Sequence, residues 1–163
     1  MKRIGLVILA ALIISSLISC DMIKKLTDKF NNASLGDQII GDGGRVSYEG
    51  AAMTALSNTD TSLTVKICNG TDSTWQSGNM RDYSLEAECD GEWYEVRQIG
   101  EFANTMELMI FAPKEELTHT FSFGERYGKL TTGMYRVVKS FWANATETRE
   151  AGEFYLICEF TVK

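Results

Sequence analysis

Three kinds of side chain in this 163-residue sequence have the type and spacing to do chemistry: four thiols, one imidazole and a run of carboxylates. Cys20 stands directly after Ser19, at the end of an apolar run over residues 4–18 that Lys2 and Arg3 precede. A small side chain before a scissile bond suits a signal peptidase, and a thiol directly after it can be alkylated to a thioether. Cys68, Cys89 and Cys158 have neither C-x-x-C spacing nor a histidine cluster, so no metal site is expected. His119, the only histidine, falls in an alternating apolar stretch over residues 117–123, where a structural imidazole is favoured over a general base. Glu86, Glu88, Asp90 and Glu92 recur at every second position. Paired carboxylates can run glycoside hydrolysis. Here, though, the even spacing puts all four on one strand face, which predicts a solvated acidic surface rather than a catalytic dyad or a calcium loop. The sequence has no G-x-S-x-G, S-x-x-K or H-E-x-x-H to supply an activated nucleophile or a zinc-bound water. No catalytic residue and no cofactor is expected.

The order Leu17-Ile18-Ser19-Cys20 resembles the bacterial lipobox, with an aliphatic residue three places before the cysteine and a small one directly before it. A membrane-spanning helix needs roughly twenty apolar residues, and Asp21, Lys24 and Lys25 interrupt this run sooner, which favours a signal peptide. The resemblance implies diacylglycerol on the Cys20 sulfur, with a further palmitate-type chain in many bacteria. At about 0.8 kcal/mol per buried methylene, two or three chains hold a protein on a membrane where one does not. The expected location is the extracytoplasmic face of a cell membrane, anchored through Cys20. Asp21 resembles an inner-membrane retention signal of some Gram-negative cells, and the choice of membrane stays open.

The elements that must position any site lie downstream. The 16 Lys plus Arg are outnumbered by 22 Asp plus Glu, for a net charge of −6, and loss of Lys2 and Arg3 with a leader makes it more negative still. Such a surface repels nucleic acid, which is excluded as a partner. Residues 22–30 place Ile23, Leu26 and Phe30 near helical spacing, but helices this short are marginal alone, and a plain tether is the favoured reading. Residues 31–44 are rich in Asn, Gly, Asp and Ser, as in flexible connections. The domain organisation read from the sequence is therefore a signal peptide over 1–19, a lipidated amino terminus and linker over 20–44, and one folded domain over 45–163.

Within that domain the hydrophobic period is two. Leu63, Val65 and Ile67 alternate with Thr64, Lys66 and Cys68, and Tyr83, Leu85, Ala87 and Cys89 alternate with Ser84, Glu86 and Glu88. Asp90-Gly91 then supplies the positive φ angles of a type I′ hairpin turn, so residues 92–98 are the return strand. Further strands are predicted over 46–53, 106–111, 117–123, 134–142 and 154–162. About eight strands joined by turn-rich loops indicate an all-β antiparallel sandwich.

Leu130, Gly133 and Tyr135 form an L-x-x-G-x-Y pattern, the arrangement of a tyrosine corner, in which the phenol bonds back to upstream backbone. Together with Leu85-Glu86, Gly91-Glu92-Trp93-Tyr94 and the stretch YGKLTTGMYRVVK over 127–139, this resembles the bacterial immunoglobulin-like domains found on secreted proteins and lipoproteins. The resemblance covers roughly residues 46–141 and implies an immunoglobulin-like sandwich with no catalytic residues to transfer. The sequence departs from the pattern in its cysteines, in the long connection over 69–81 and in having Pro113 as its single proline.

Two features bear on partners. By alternation Cys89 and Cys158 face inward and Cys68 outward, so Cys89 with Cys158 is the disulfide to test, against a preferred reading of buried free thiols. Trp75 and Trp142 lie in or beside two long connections, over 69–81 and 142–152, whose loops meet at one end of such a sandwich. They are the candidate binding platform, while Trp93 is read as core-facing. The functional expectation is a lipid-anchored, non-catalytic binding or structural module of the bacterial envelope, meeting an envelope protein or glycan. An envelope enzyme inhibitor is the alternative, and a hydrolase on a sandwich comes after it.

Overall fold

The computed structural model describes residues 35–100, 102, 107–147 and 150–163. The expected leader over 1–19 and Cys20 lie outside the described residues. Ten strands and one short helix follow in order: β1 Leu35–Ile39, β2 Ala51–Asn58, β3 Ser62–Asn69, β4 Trp75–Ser77, β5 Ser84–Cys89, β6 Glu92–Val96, β7 Met109–Phe111, β8 Glu116–Ser122, α1 Gly124–Tyr127, β9 Gly133–Ala143 and β10 Gly152–Val162. All strand pairs are antiparallel. The larger sheet runs β1-β6-β5-β9-β4-β7, with β10 also on β9, and the smaller sheet runs β2-β3-β8. The protein is an all-β sandwich.

Side-chain alternation explains which strands carry the core. Leu63, Val65 and Ile67 of β3 are wholly buried, each contributing about 1.5–3 kcal/mol of burial free energy. They face Leu85, Tyr135, Val137, Phe141, Leu156 and Phe160 of the larger sheet in one continuous core. β9 is its spine. It pairs with β10 from Gly133 to Ala143, and on its other side with β5 at its start and β4 at its end. At the β5–β6 turn, Asp90 has φ 54° and Gly91 φ 87°, the two positive angles that a type I′ turn requires. The Tyr135 phenol donates to the Thr131 carbonyl at 3.0 Å, which completes the tyrosine corner.

Several boundaries differ from the sequence reading. β1 takes five residues from the segment read as linker, because it adds to the β6 edge with Leu35 opposite Val96 and Ile39 opposite Trp93. The first predicted strand, over 46–53, shifts to Ala51–Asn58. Among its residues only Met53 is buried, so alternation could not mark it. The connection over 69–81 is not a loose loop. It contains β4, and its entry is held by the fully buried Asn69, whose amide donates to the Ser73 carbonyl at 2.8 Å and to the Ala112 carbonyl at 2.9 Å. Asn69 Oδ1 also accepts from the Thr71 hydroxyl at 2.7 Å, so Asn69-Gly70-Thr71 forms a turn. Gly70 is required there, since a Cβ would stand 2.7 Å from the Gly50 carbonyl oxygen.

Candidate functional site

The carboxylate run resolves into two environments. Glu86 sits directly opposite Arg136 across β5 and β9 and is only 1% exposed. Its Oε2 accepts from Arg136 Nε at 2.6 Å, and its Oε1 accepts from Arg45 Nη2. Arg136 lies 4.2 Å from the Trp93 ring centroid, within cation–π range. The expected solvated acidic face is therefore corrected at Glu86. Two guanidinium groups and an indole cover it, and the group is a structural clasp. The register also corrects Trp93. It stands opposite Glu88, on the outer face of the larger sheet, while neighbouring Tyr94 turns inward. Arg45, meanwhile, fastens the segment that follows β1 onto the sandwich, and next to it the Val46 carbonyl accepts from Tyr155 N at 2.9 Å.

The two tryptophans of the predicted platform point to opposite faces. Trp75 pairs with Ala143 and Gln76 with Trp142, so successive positions of β4 alternate between core and surface. Trp75 is fully buried, with Phe154 at 4.9 Å and Tyr48 and Phe141 each at 6.0 Å between ring centroids. It is a core residue, and the expectation that it shares a platform with Trp142 is overturned. Trp142 is half exposed. It lies on the outer sheet face beside Gln76, with exposed Ile110 opposite Gln76 on β7. Gln76 Nε2 donates to Asn144 Oδ1 at 3.4 Å. An indole, two amides and an isoleucine thus share one surface, and they can offer stacking and hydrogen bonds to a partner.

Among the described residues Cys68, Cys89 and Cys158 form no disulfide. Cys158 belongs to the main core, whereas Cys89 packs with Tyr94 and Leu35 in a separate small cluster, so the two face different neighbours and no bridge joins them. Burial pushes the Cys158 thiol above its ordinary range.

Sequence reasoning missed an ionisable group inside the sandwich. Lys139 shares the inward face of β9 with Val137 and Phe141 and is 1% exposed. Burial holds its ammonium below the usual range, and the Asp82 carboxylate opposes that shift. His119 faces inward on β8, opposite Val65 on β3 and 4.8 Å from the Phe121 ring. Burial lowers its pKa first, and the Lys139 charge lowers it further. The periodicity around Val137 and Phe141 put Lys139 in an inward position, and its charge was the only signal available.

Among the described residues no group of three or more His, Cys, Asp or Glu could hold a metal ion. No curated protein and no solved structure matches the chain. The family model that matches is that of a bacterial Ig-like domain, over residues 50–155, a span from the residue before β2 into β10. With two antiparallel sheets, a tyrosine corner and this match over more than half its length, the chain belongs to the bacterial Ig-like domain family.

Proposed function

We propose that this protein is a lipid-anchored extracytoplasmic module, tied to a bacterial membrane through Cys20, that acts by non-catalytic binding or support in the envelope. The observation that carries the non-catalytic part is the state of Glu86, the acid at the centre of the carboxylate run. Both of its oxygens accept hydrogen bonds from guanidinium groups and the carboxylate is 1% exposed, so it is held as a structural group rather than offered to a substrate. The family match supports the same reading, since Ig-like domains are typically binding or spacing modules. The anchor rests on the sequence before residue 35, where a basic start, a short apolar core and Ser19-Cys20 agree. The exposed surface around Trp142, Gln76 and Ile110 is the part of the sandwich offered to a protein or glycan partner.

Expressing the full chain beside a Cys20→Ala variant tests the anchor. The wild type is expected in the membrane fraction, beginning at Cys20 and carrying the mass of its acyl groups. The variant is expected to be released or to keep its leader. An unchanged, membrane-bound mature variant would overturn the anchor. For the binding part, a Trp142→Ala protein should lose partners captured by the wild type, and measured turnover of a captured glycan or peptide would overturn the non-catalytic reading.

A further inference from the structure

The outer face of the larger sheet carries one row of side chains in register across four strands. Ile110 on β7 stands opposite Gln76 on β4, Gln76 opposite Trp142 on β9, and Trp142 opposite Glu153 on β10. Neighbouring strands lie about 4.8 Å apart, so the row sets an amide and a carboxylate one strand to either side of a half-exposed indole. A hydrogen bond to Asn144 occupies one donor position of Gln76, in an amide that has two donors and an acceptor oxygen. Beside Trp142 on β9 the next outward residue is Ser140, whose small side chain leaves room. A hollow of about 180 Å³ is lined there by Gln76, Ser140, Trp142 and Glu153. The same Ser140 borders a second hollow, of about 290 Å³, that Ser84 and Tyr155 also line. Tyr155, two positions on from Glu153 along β10, is near enough for its phenol to interact with that carboxylate.

This arrangement selects the chemistry of its occupant. The backbone of β9 is paired with β10 on one side and with β4 on the other, so no peptide strand can be added at Trp142. An anionic ligand would meet Glu153 next to the indole. A neutral sugar has an apolar C–H face that suits the negative face of an indole, and a rim of hydroxyls that both donate and accept. We propose that this groove binds a neutral glycan, with one pyranose ring stacked on Trp142, its hydroxyls shared between Gln76 and Glu153, and the next sugar running over Ser140 toward Tyr155. The proposal rests on the binding role given above to the Trp142 surface and names the ligand class.

The full chain, in a detergent without a sugar headgroup, is applied to an array of neutral hexose and N-acetylhexosamine oligosaccharides printed beside their uronic acid counterparts. Neutral members are expected to bind and their uronic acid counterparts to bind more weakly. Trp142→Ala should lower the neutral signal about tenfold, the equivalent of roughly 1.4 kcal/mol, and Trp142→Phe should restore part of it. Glu153→Gln should raise the response to the uronic acids. These side chains lie on the surface, and matching denaturation midpoints check that the variants are folded. An array without a neutral ligand would overturn the proposal, as would neutral binding unchanged in Trp142→Ala or uronic acids bound as tightly as neutral sugars by the wild type. If the array stays blank while Trp142→Ala still abolishes capture of a protein partner, the glycan inference falls and the binding role stands. If both are negative, both fall.

Discussion

Arg136 and Glu86 face each other across β9 and β5, and the guanidinium Nε lies 2.6 Å from the carboxylate in a place almost closed to water. Burying such a pair is expensive, and removing one member leaves the other uncompensated. Glu86→Ala strands two guanidinium groups and should destabilise the domain by about 3–5 kcal/mol in a urea titration. Arg45→Ala leaves the Arg136 contact intact and should cost clearly less. Equal losses would mean that Arg45, not Arg136, is the principal partner.

The tryptophans give a second contrast. Trp75→Ala empties a fully buried site among Tyr48, Phe141 and Phe154 and should cost about 3–5 kcal/mol. Trp142→Ala touches a half-exposed ring and should stay within about 0.5 kcal/mol of the wild type. Denaturation midpoints of the two variants, measured side by side, check the assignment of one to core and the other to surface.

Lys139 and His119 give the stability a defined pH dependence. The folded Lys139 pKa is below 10.5, the ordinary lysine value that holds in the unfolded chain. The unfolded state therefore binds more protons between the two values, and this residue's contribution becomes more favourable as pH rises through that window. Lys139→Met should stabilise the protein most near neutrality, with the advantage shrinking as pH approaches 10.5. His119 is also lowered, from 6.5, so stability should fall as pH drops below that value, and His119→Gln should flatten the fall. Denaturation measured from pH 5 to 10.5 tests both signs.

The thiols should differ in reactivity. Cys68 is partly exposed while Cys89 and Cys158 are buried, so a maleimide should label Cys68 first in the native protein and reach the other two only on unfolding. An intact mass two hydrogens short, without reductant, would contradict free thiols.

The hydroxyl of Tyr135 should matter by about 0.5–1.5 kcal/mol, the net worth of its hydrogen bond to the Thr131 carbonyl. Tyr135→Phe keeps the ring in the core and isolates that term by urea denaturation.

What the sequence disclosed and what it hid follow from the range of the forces involved. Asp90-Gly91 was legible because the positive φ angles are a local demand met by two adjacent residues. β3 and the tyrosine corner were legible for the same reason, through alternation over a few positions and through a phenol bonding four residues back. The role of Glu86 was not, because its partners stand 41 and 50 residues away and no local pattern announces a clasp. β4 is three residues long, too short to show a period, and so Trp75 passed for a loop residue. β1 owes its strand to the β6 edge rather than to its own glycine- and asparagine-flanked composition. A hollow beside α1 draws on β8, the connection into β5 and the chain around Arg126, an assembly that only the closed sandwich creates.

The route of the chain through β1 and Arg45 also bears on how the protein responds to force. Tension arriving from before Leu35 loads the five-residue β1 first and the Arg45 contact next, while Leu63, Val65, Ile67 and the rest of the interior lie beyond both. Under a sustained pull on that end, β1 should peel away while the sandwich stays closed. In the anchored protein proposed above, the amino-terminal edge would serve as a shock absorber between the membrane and the sandwich.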